Sequence, residues 1–405
     1  MRICVHAALV AVCVLGVRVG AQTATPGMSL ADAFARALEA NPTLRAARLQ
    51  RPVDAAGVAV AGERPNPELA YELSKETPRQ SIGVTLPIEL GGKRGSRLGL
   101  ARATVAVGEA DLDRILSETR NDVRRAYFDL VAARMRVELL DEVRGLADRA
   151  RVAAVARVNA GDVPQADLTQ AQLAVATSDS DLIAARGDAA AARVSLNLLL
   201  GQPADTMIAL SDSLTDGLLI MADAAMAMAA SSNTELKVLD QRIAEQRMRV
   251  ALAKAMTKPD VSAGSAFTYD AEPEFRYGWR LSAGITLPVF TTHRATVIVE
   301  DATLAQFTAE RQAALARVTG AVAGAIERAT AARAQVAQYQ DVILPLASEA
   351  ERQAQAAYSG GQTGLPALVQ ALQTARDTRQ RGLQAGLDYQ HALADLERAI
   401  GAPIK

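Results

Sequence analysis

Two stretches of the chain alternate strictly between apolar residues and polar or small ones. In the longer stretch the odd positions are Val261, Ala263, Ser265, Phe267 and Tyr269, then Phe275, Tyr277, Trp279, Leu281, Ala283, Ile285, Leu287 and Val289. The even positions include Ser262, Gly264, Thr268, Arg276, Gly278, Arg280, Ser282, Gly284 and Thr286. Successive side chains of a strand point to opposite faces, so the pattern predicts two strands with one apolar face, joined by a turn at Asp270–Glu274. A shorter version comes earlier: Leu69, Tyr71 and Leu73, then Ile82, Val84, Leu86, Ile88 and Leu90 share a face, and Lys75–Gln80 is the polar turn.

The remaining periodicity is helical. From Ser96 to Asn159 the chain has no proline and carries apolar residues at Val123, Ala126, Tyr127, Leu130, Val131, Leu139 and Leu140. At ~1.5 Å per residue such a helix is roughly 95 Å long. It ends at Ala160-Gly161-Asp162-Val163-Pro164, and a second helix runs from Gln165 to Leu200. The same order recurs as a helix from Ala295 to Tyr358, bent at Pro345, then Gly360–Pro366 and a final helix to Ile400. Short helices are expected before each hairpin, at Ser29–Ala40, where Ser29 and Asp32 have capping spacing, and at Ala222–Ala230.

These recurrences are one duplication. Ser81-Ile82-Gly83-Val84-Thr85-Leu86-Pro87 returns as Ser282-Ala283-Gly284-Ile285-Thr286-Leu287-Pro288 at an offset of 201 (288 − 87), and Gly161 and Gly201 return as Gly361 and Gly401 at 200 (361 − 161). Asn41 aligns with Asn233 at 192 (233 − 41), so the second copy carries nine extra residues (201 − 192) before its Leu-Pro. Solenoid units reach only about 50 residues, so each copy is a structural half. The organisation expected is a signal peptide over 1–21, N-terminal helices over 22–66, a first β-hairpin over 67–90 and a first long helical hairpin over 91–201. A linker with second-copy helices follows over 202–258, then a second β-hairpin over 259–290 and a second long helical hairpin over 291–405.

Half the residues are hydrophobic but only 3% are aromatic, the profile of closely packed, alanine-rich helices. A net charge of −1 offers no basic field for nucleic acid. Arg2, the apolar run Ala7–Val17 and the small residues Val19-Gly20-Ala21 read as a secretory signal peptide. Both cysteines, Cys4 and Cys13, fall inside it; Val12 before Cys13 argues against lipidation, and the mature chain has no thiol for a disulfide or metal.

No apolar run reaches the ~18 residues of a membrane helix, so an exported chain enters a membrane only through strands. Six of the fourteen aromatics (6 Phe, 7 Tyr, 1 Trp) sit in the second strand region, as in residues that seat a barrel at lipid interfaces. The lipid-facing set is Tyr71, Ile82, Val84, Phe267, Tyr269, Phe275, Tyr277, Trp279 and Leu281. Four strands cannot close a barrel, which needs about eight, so the barrel is shared between chains. Two chains supply eight strands and three supply twelve; symmetry permits either. The fold class is mainly α with a shared transmembrane β-barrel.

The order of strand hairpin, long helix, glycine-containing tip and helix, repeated once behind a signal peptide, resembles the TolC family of outer-membrane efflux channels. The resemblance covers the mature chain and rests on Leu86-Pro87 and Leu287-Pro288, on the tips Asn159-Ala160-Gly161 and Tyr358-Ser359-Gly360-Gly361, and on Asp395–Gly401. The phrase Leu86-Pro87-Ile88-Glu89-Leu90-Gly91-Gly92-Lys93-Arg94 is similar to the strand exit of the CzcC-like heavy-metal branch. The family implies a homotrimer in outer-membrane lipid, with a twelve-stranded barrel above a periplasmic helical tunnel, docked to a periplasmic adaptor and an inner-membrane pump of the resistance-nodulation-division class. Gly161, Val163, Pro164, Gly361, Gly364, Leu365 and Pro366, with Leu168 and Leu368 behind them, are the residues expected at exposed tips for adaptor docking. Where some members carry acidic residues after the second tip, this chain has Ala367 and Gln370. A charged gate therefore falls to Asp167, with Asp162 nearby; Asp167 reads equally as a carboxylate stabilising its helix N-terminus.

Enzyme chemistry finds no support. His293 and His391 lie far apart outside any ligand-spaced cluster, and Met221, Met226 and Met228 read as packing residues. No cofactor or metal site is expected. The reading is a passive duct; a drug-efflux or type I protein-secretion duct is the rival of the same fold, and a pore-free periplasmic coiled-coil scaffold the rival of another class.

Overall fold

The computed structural model describes residues 27–273 and 275–404, and the signal peptide expected over 1–21 lies outside them. The first copy opens with α1 (Leu30–Ala40), α2 (Pro42–Arg48) and α3 (Gln50–Ala61), followed by β1 (Glu68–Leu73), β2 (Gln80–Ile88), α4 (Lys93–Asn159) and α5 (Gln165–Leu199). The second runs α6 (Ala222–Ser232), α7 (Thr234–Met256), β3 (Asp260–Ala271), β4 (Phe275–Thr286) and α8 (Arg294–Gln338), then a π-helical turn at Tyr339–Ile343, α9 (Leu344–Ser359) and α10 (Leu365–Ile400). Ser29 starts α1 with a reciprocal capping box to Asp32, as its spacing predicts. The bend expected at Pro345 is taken up just before it: proline has no N–H to give the preceding turn, and the π turn absorbs the break.

At 67 residues, α4 is ~100 Å long. Below the strands the long helices pack in the order α5, α4, α10, then α8 and α9; nearer the strands the order is α3, α4, α7, α8. Where the two arrangements meet, two apolar cores form. One gathers Val123, Tyr127, Phe128 and Leu130 of α4 with Leu196, Leu200 and the α1 alanines Ala33 and Ala37. The other gathers Val318, Val322 and Ile326 of α8 with Leu236, Leu396 and Ile400. Each fully buried leucine contributes about 1.5–3 kcal/mol, which makes this belt the stable middle of a long molecule.

The duplication is visible atom by atom in the belt. Asn41 caps α2 by accepting from the N–H groups of Thr43 and Leu44 and donates to the Leu199 carbonyl at 2.8 Å. Asn233 caps α7 by accepting from the Leu236 N–H and donates to the Ala399 carbonyl at 2.8 Å. Each asparagine thus ties the start of its copy to the end of the same copy. The glycines that follow, Gly201 and Gly401, have φ of +64° and +80°, and a Cβ on Gly201 would stand 2.3 Å from the Ala40 carbonyl oxygen. The copies are joined to each other by a buried ion pair, Arg124 Nη1 to Glu397 Oε1 at 2.9 Å, with Gln390 Oε1 accepting from Arg124 Nη2 at 3.1 Å.

Candidate functional site: the strand wall and the hairpin tips

The four strands form one antiparallel sheet in the order β1-β2-β3-β4, so β2 and β3 join the two copies and β1 and β4 are its edges. Registers run Tyr71↔Ile82, Ile82↔Phe267 and Phe267↔Trp279 in one row, and Leu69↔Val84, Val84↔Ser265 and Ser265↔Leu281 in the next. The apolar set of the first copy therefore continues onto that of the second without a break in face. Phe267 sets its ring edge-on to Trp279 at 5.3 Å and stacks with Tyr277 at 6.2 Å. This face is exposed in the single chain: Leu281 is 82% accessible and Trp279 76%.

The other face is small and pinched. A Cβ on Gly83 would stand 3.0 Å from the Ala266 Cβ, and one on Gly284 would stand 2.7 Å from Ser262 Oγ. Facing Cβ atoms in a flat sheet lie about 4.5–5.5 Å apart, so the sheet curls toward this side and keeps the apolar side convex. Phe275 departs from the expected outward row. Its ring comes within 3.0 Å of where a Cβ on Gly278 would be, on the pinched side, because Asp270 on the facing strand has φ +61° and breaks the pleat at the turn. Comparing registers, β1 maps onto β3 at 192 (260 − 68) and β2 onto β4 at 201 (286 − 85). The nine extra residues therefore lengthen the turn end of the second hairpin.

At its other end the sheet is fixed by a pair that the alternation does not reveal. Lys93 Nζ reaches Asp260 Oδ2 at 2.6 Å, and the Leu90 N–H donates to Asp260 Oδ1 at 3.2 Å. The Lys93 side chain is only 6% exposed, so the start of α4 is locked to the start of β3. Its only trace in the sequence is Lys93 after the glycine pair Gly91-Gly92.

At the far end of the helices the tips are built alike. Gly161 and Gly361 have φ of +82° and +72°; the Asp162 N–H donates to the Arg157 carbonyl at 2.9 Å, and the Gln362 N–H to the Ala357 carbonyl at 2.8 Å. Gly161, Pro164, Gly361, Gly364 and Pro366 are exposed, and Val163 and Leu168 are half-buried. Leu365 and Leu368 correct the expectation of exposed tip residues: at 0% and 5% accessible they pack with Tyr358, Ala150, Ala154 and Ala171, because a two-helix tip buries its apolar side against the neighbouring hairpin. Arg157 lies over the Tyr358 ring at 5.3 Å, so the first hairpin also holds the second at this level. Asp162 is exposed, and Asp167 is half-buried in the first turn of α5, whose N-cap, Pro164, provides no capping side chain. Further up, Arg144–Asp179 at 2.7 Å, Arg376–Asp181 at 2.8 Å and Arg379–Glu351 at 2.6 Å cross between helices.

No helix among the described residues is long and apolar enough to cross a membrane. A curled sheet with a convex apolar face, carried on a wall of very long antiparallel helices, is a fold shared with solved outer-membrane channels. The model of the outer membrane efflux protein family matches residues 34–202 of the chain. The chain is 26% identical over 381 residues to the cobalt-zinc-cadmium resistance protein CzcC of Cupriavidus metallidurans, covering 92% of this chain and 90% of that one. Solved structures with the same fold include CusC (TM-score 0.77, 16% identity, 92% of each chain). The outer membrane channel CmeC of Campylobacter jejuni is another (TM-score 0.77, 15% identity, 92% of this chain and 85% of that one).

Proposed function

We propose that the chain is the outer-membrane component of a tripartite efflux system: a passive homotrimeric duct that accepts cargo from a periplasmic adaptor and an inner-membrane pump of the resistance-nodulation-division class. The observation that carries this reading is the unbroken apolar row from Tyr71 through Ile82 and Phe267 to Trp279, backed by a face of small residues that also carries the charged Glu68, Glu72 and Arg280. An apolar outer face belongs in hydrocarbon and a small polar inner face in water, and four strands per chain make twelve when three chains close. The convex face meets lipid and the tips meet the adaptor, through the exposed residues Gly161, Pro164, Gly361, Gly364 and Pro366. Asp167 is the candidate for a charged constriction.

Heavy-metal cations are the proposed cargo class. The supporting observation is the similarity to a protein named for cobalt, zinc and cadmium resistance along nearly the whole length of both chains. Expression in a host that keeps its adaptor and pump but lacks its outer-membrane component tests the proposal. Restored tolerance to zinc, cobalt and cadmium supports metal export, whereas restored tolerance to organic drugs alone refutes the cargo while leaving the duct intact.

A further inference from the structure

A groove of about 550 Å³ lies in the helical wall between the belt and the tips. All of its walls belong to one chain: α4, α10, the π-helical turn with the ends of α8 and α9 beside it, and the linker at Ser213–Thr215. Because α4 and α10 are the middle pair of the wall, the groove stands away from the chain's lateral edges.

Its shape comes from a proline and a glycine. Pro345 has no N–H to give the turn before it, and the Leu344 N–H bonds to the Tyr339 carbonyl five residues back, which widens the helix at that level. On the facing helix Gly382 and Gly386 stand one turn apart without side chains. Gly386 has a packing reason, since a Cβ there would press on the Leu214 Cβ at 3.0 Å. Gly382 has none: a Cβ would meet Leu344 Cδ2 at 3.4 Å and Tyr339 Cδ1 at 3.6 Å, which is ordinary contact. Glycine inside a helix is weaker than alanine, so the fold gains nothing from Gly382. What this glycine leaves is open space in front of the Tyr339 ring.

The lining chemistry is one-sided. Leu139, Leu214 and Val336 form a buried apolar floor, with Leu344 and Leu383 around them. Along one side Glu138 and Glu142 project from successive turns of α4, both exposed. The nearby cations are already engaged. Arg379 lies 2.6 Å from the buried Glu351 and only 3.8 Å from Glu142, and Arg134 donates to the Ile208 carbonyl. A leucine floor, a tyrosine ring and two carboxylates complement a cation with an apolar body. A bare metal ion does not fit, because no group of three His, Cys, Asp or Glu that could hold one gathers among the described residues.

We propose that this groove is a binding site for an organic monocation, its charge held by Glu138, Glu142 and the Tyr339 ring and its apolar body seated on the leucine floor. A molecule seated there touches α4, α10 and the π turn at once, and so ties the two hairpins together where the wall is broken. The site is separate from the metal cargo proposed above and does not depend on it.

Fluorescence titration of the full chain in phosphatidylcholine nanodiscs tests the site, with ethidium as the cationic probe, anilinonaphthalene sulfonate as an anion of similar size, and empty nanodiscs subtracted. Ethidium should bind saturably, one per chain, and the anion should not displace it. E138Q/E142Q should weaken ethidium roughly tenfold, as expected for the loss of two solvent-exposed charge contacts. G382L, whose side chain fills the groove, should abolish binding. Both glutamates are exposed, so E138Q/E142Q leaves the fold intact and decides the matter even where G382L assembles poorly. Absence of saturable ethidium binding, or an unchanged affinity in E138Q/E142Q, overturns the proposal. Equal affinity for the anion overturns the ligand class and makes the groove a plain apolar surface. Failure to bind ethidium together with photo-crosslinking from position 138 to the adaptor overturns the proposal in favour of protein docking.

Discussion

Arginine at Leu281 should prevent insertion, whereas arginine one residue on, at Ser282, should not. The outer face of β4 runs from Tyr277 to Ile285, about 26 Å of strand at ~3.3 Å per residue, or about 20 Å of height at a tilt near 40°. Leu281 lies at the centre of that span. A cation there costs about 2–4 kcal/mol, the range for the midplane. Losing a leucine that is 82% exposed in the lone chain, and so reaches lipid almost whole, adds about 1.5–2 kcal/mol. The total is about 4–6 kcal/mol per chain, a thousandfold or more in the insertion equilibrium. Ser282 points to the pinched side, where a guanidinium extends into the lumen water at a cost of about 0–1 kcal/mol. Gly278 is a poorer control than Ser282, because a Cβ there presses on the Phe275 ring at 3.0 Å. The assay is the yield of heat-modifiable oligomer in outer membranes, followed by urea titration of protein refolded into vesicles. Equal loss for L281R and S282R would falsify the assignment of faces.

Three further outcomes follow from the tips. Gly364 has ordinary backbone angles, and a Cβ there meets only Pro366 Cδ at an ordinary 3.5 Å, so G364W should abolish efflux while leaving oligomer yield and conductance unchanged; adaptor crosslinking that persists with full efflux makes the tip a mere turn. L365A empties a fully buried position in the tip cluster and should cost about 2–5 kcal/mol locally, seen as faster proteolysis near Gly361 with the belt still protected. D167N should reduce block by divalent cations added from the periplasmic side if three carboxylates converge at the mouth. If Asp167 only stabilises the start of α5, conductance and block stay at wild-type values and that helix end weakens by about 0.3–1 kcal/mol.

The strands and their faces were legible in the sequence because period-two alternation survives wherever one face is apolar: the odd positions from Val261 to Tyr269 and from Tyr277 to Leu281 share one face, and Phe275 at the distorted turn departs from it. The duplication was equally legible, since glycines at positive φ and the Leu-Pro strand ends tolerate little change. What stayed hidden depended on partners distant in sequence. Leu365 and Leu368 looked exposed beside a turn, and only the approach of Ala150, Ala154 and Ala171 from the other hairpin buries them. Lys93 looked like one cation among many until Asp260, in the other copy, was placed beside it. Asn41 and Asn233 appeared as an aligned pair, but their role in closing each copy needed the carbonyls of Leu199 and Ala399 in view.

Single-channel recording in a planar bilayer tests the central claim most directly. Purified, folded protein at limiting dilution should give discrete, uniform conductance steps, with one step per inserted assembly whose mass equals three chains. Protein that enters the bilayer, retains its oligomer and passes no ionic current, with or without its tips removed, contradicts a duct and leaves a scaffold in its place.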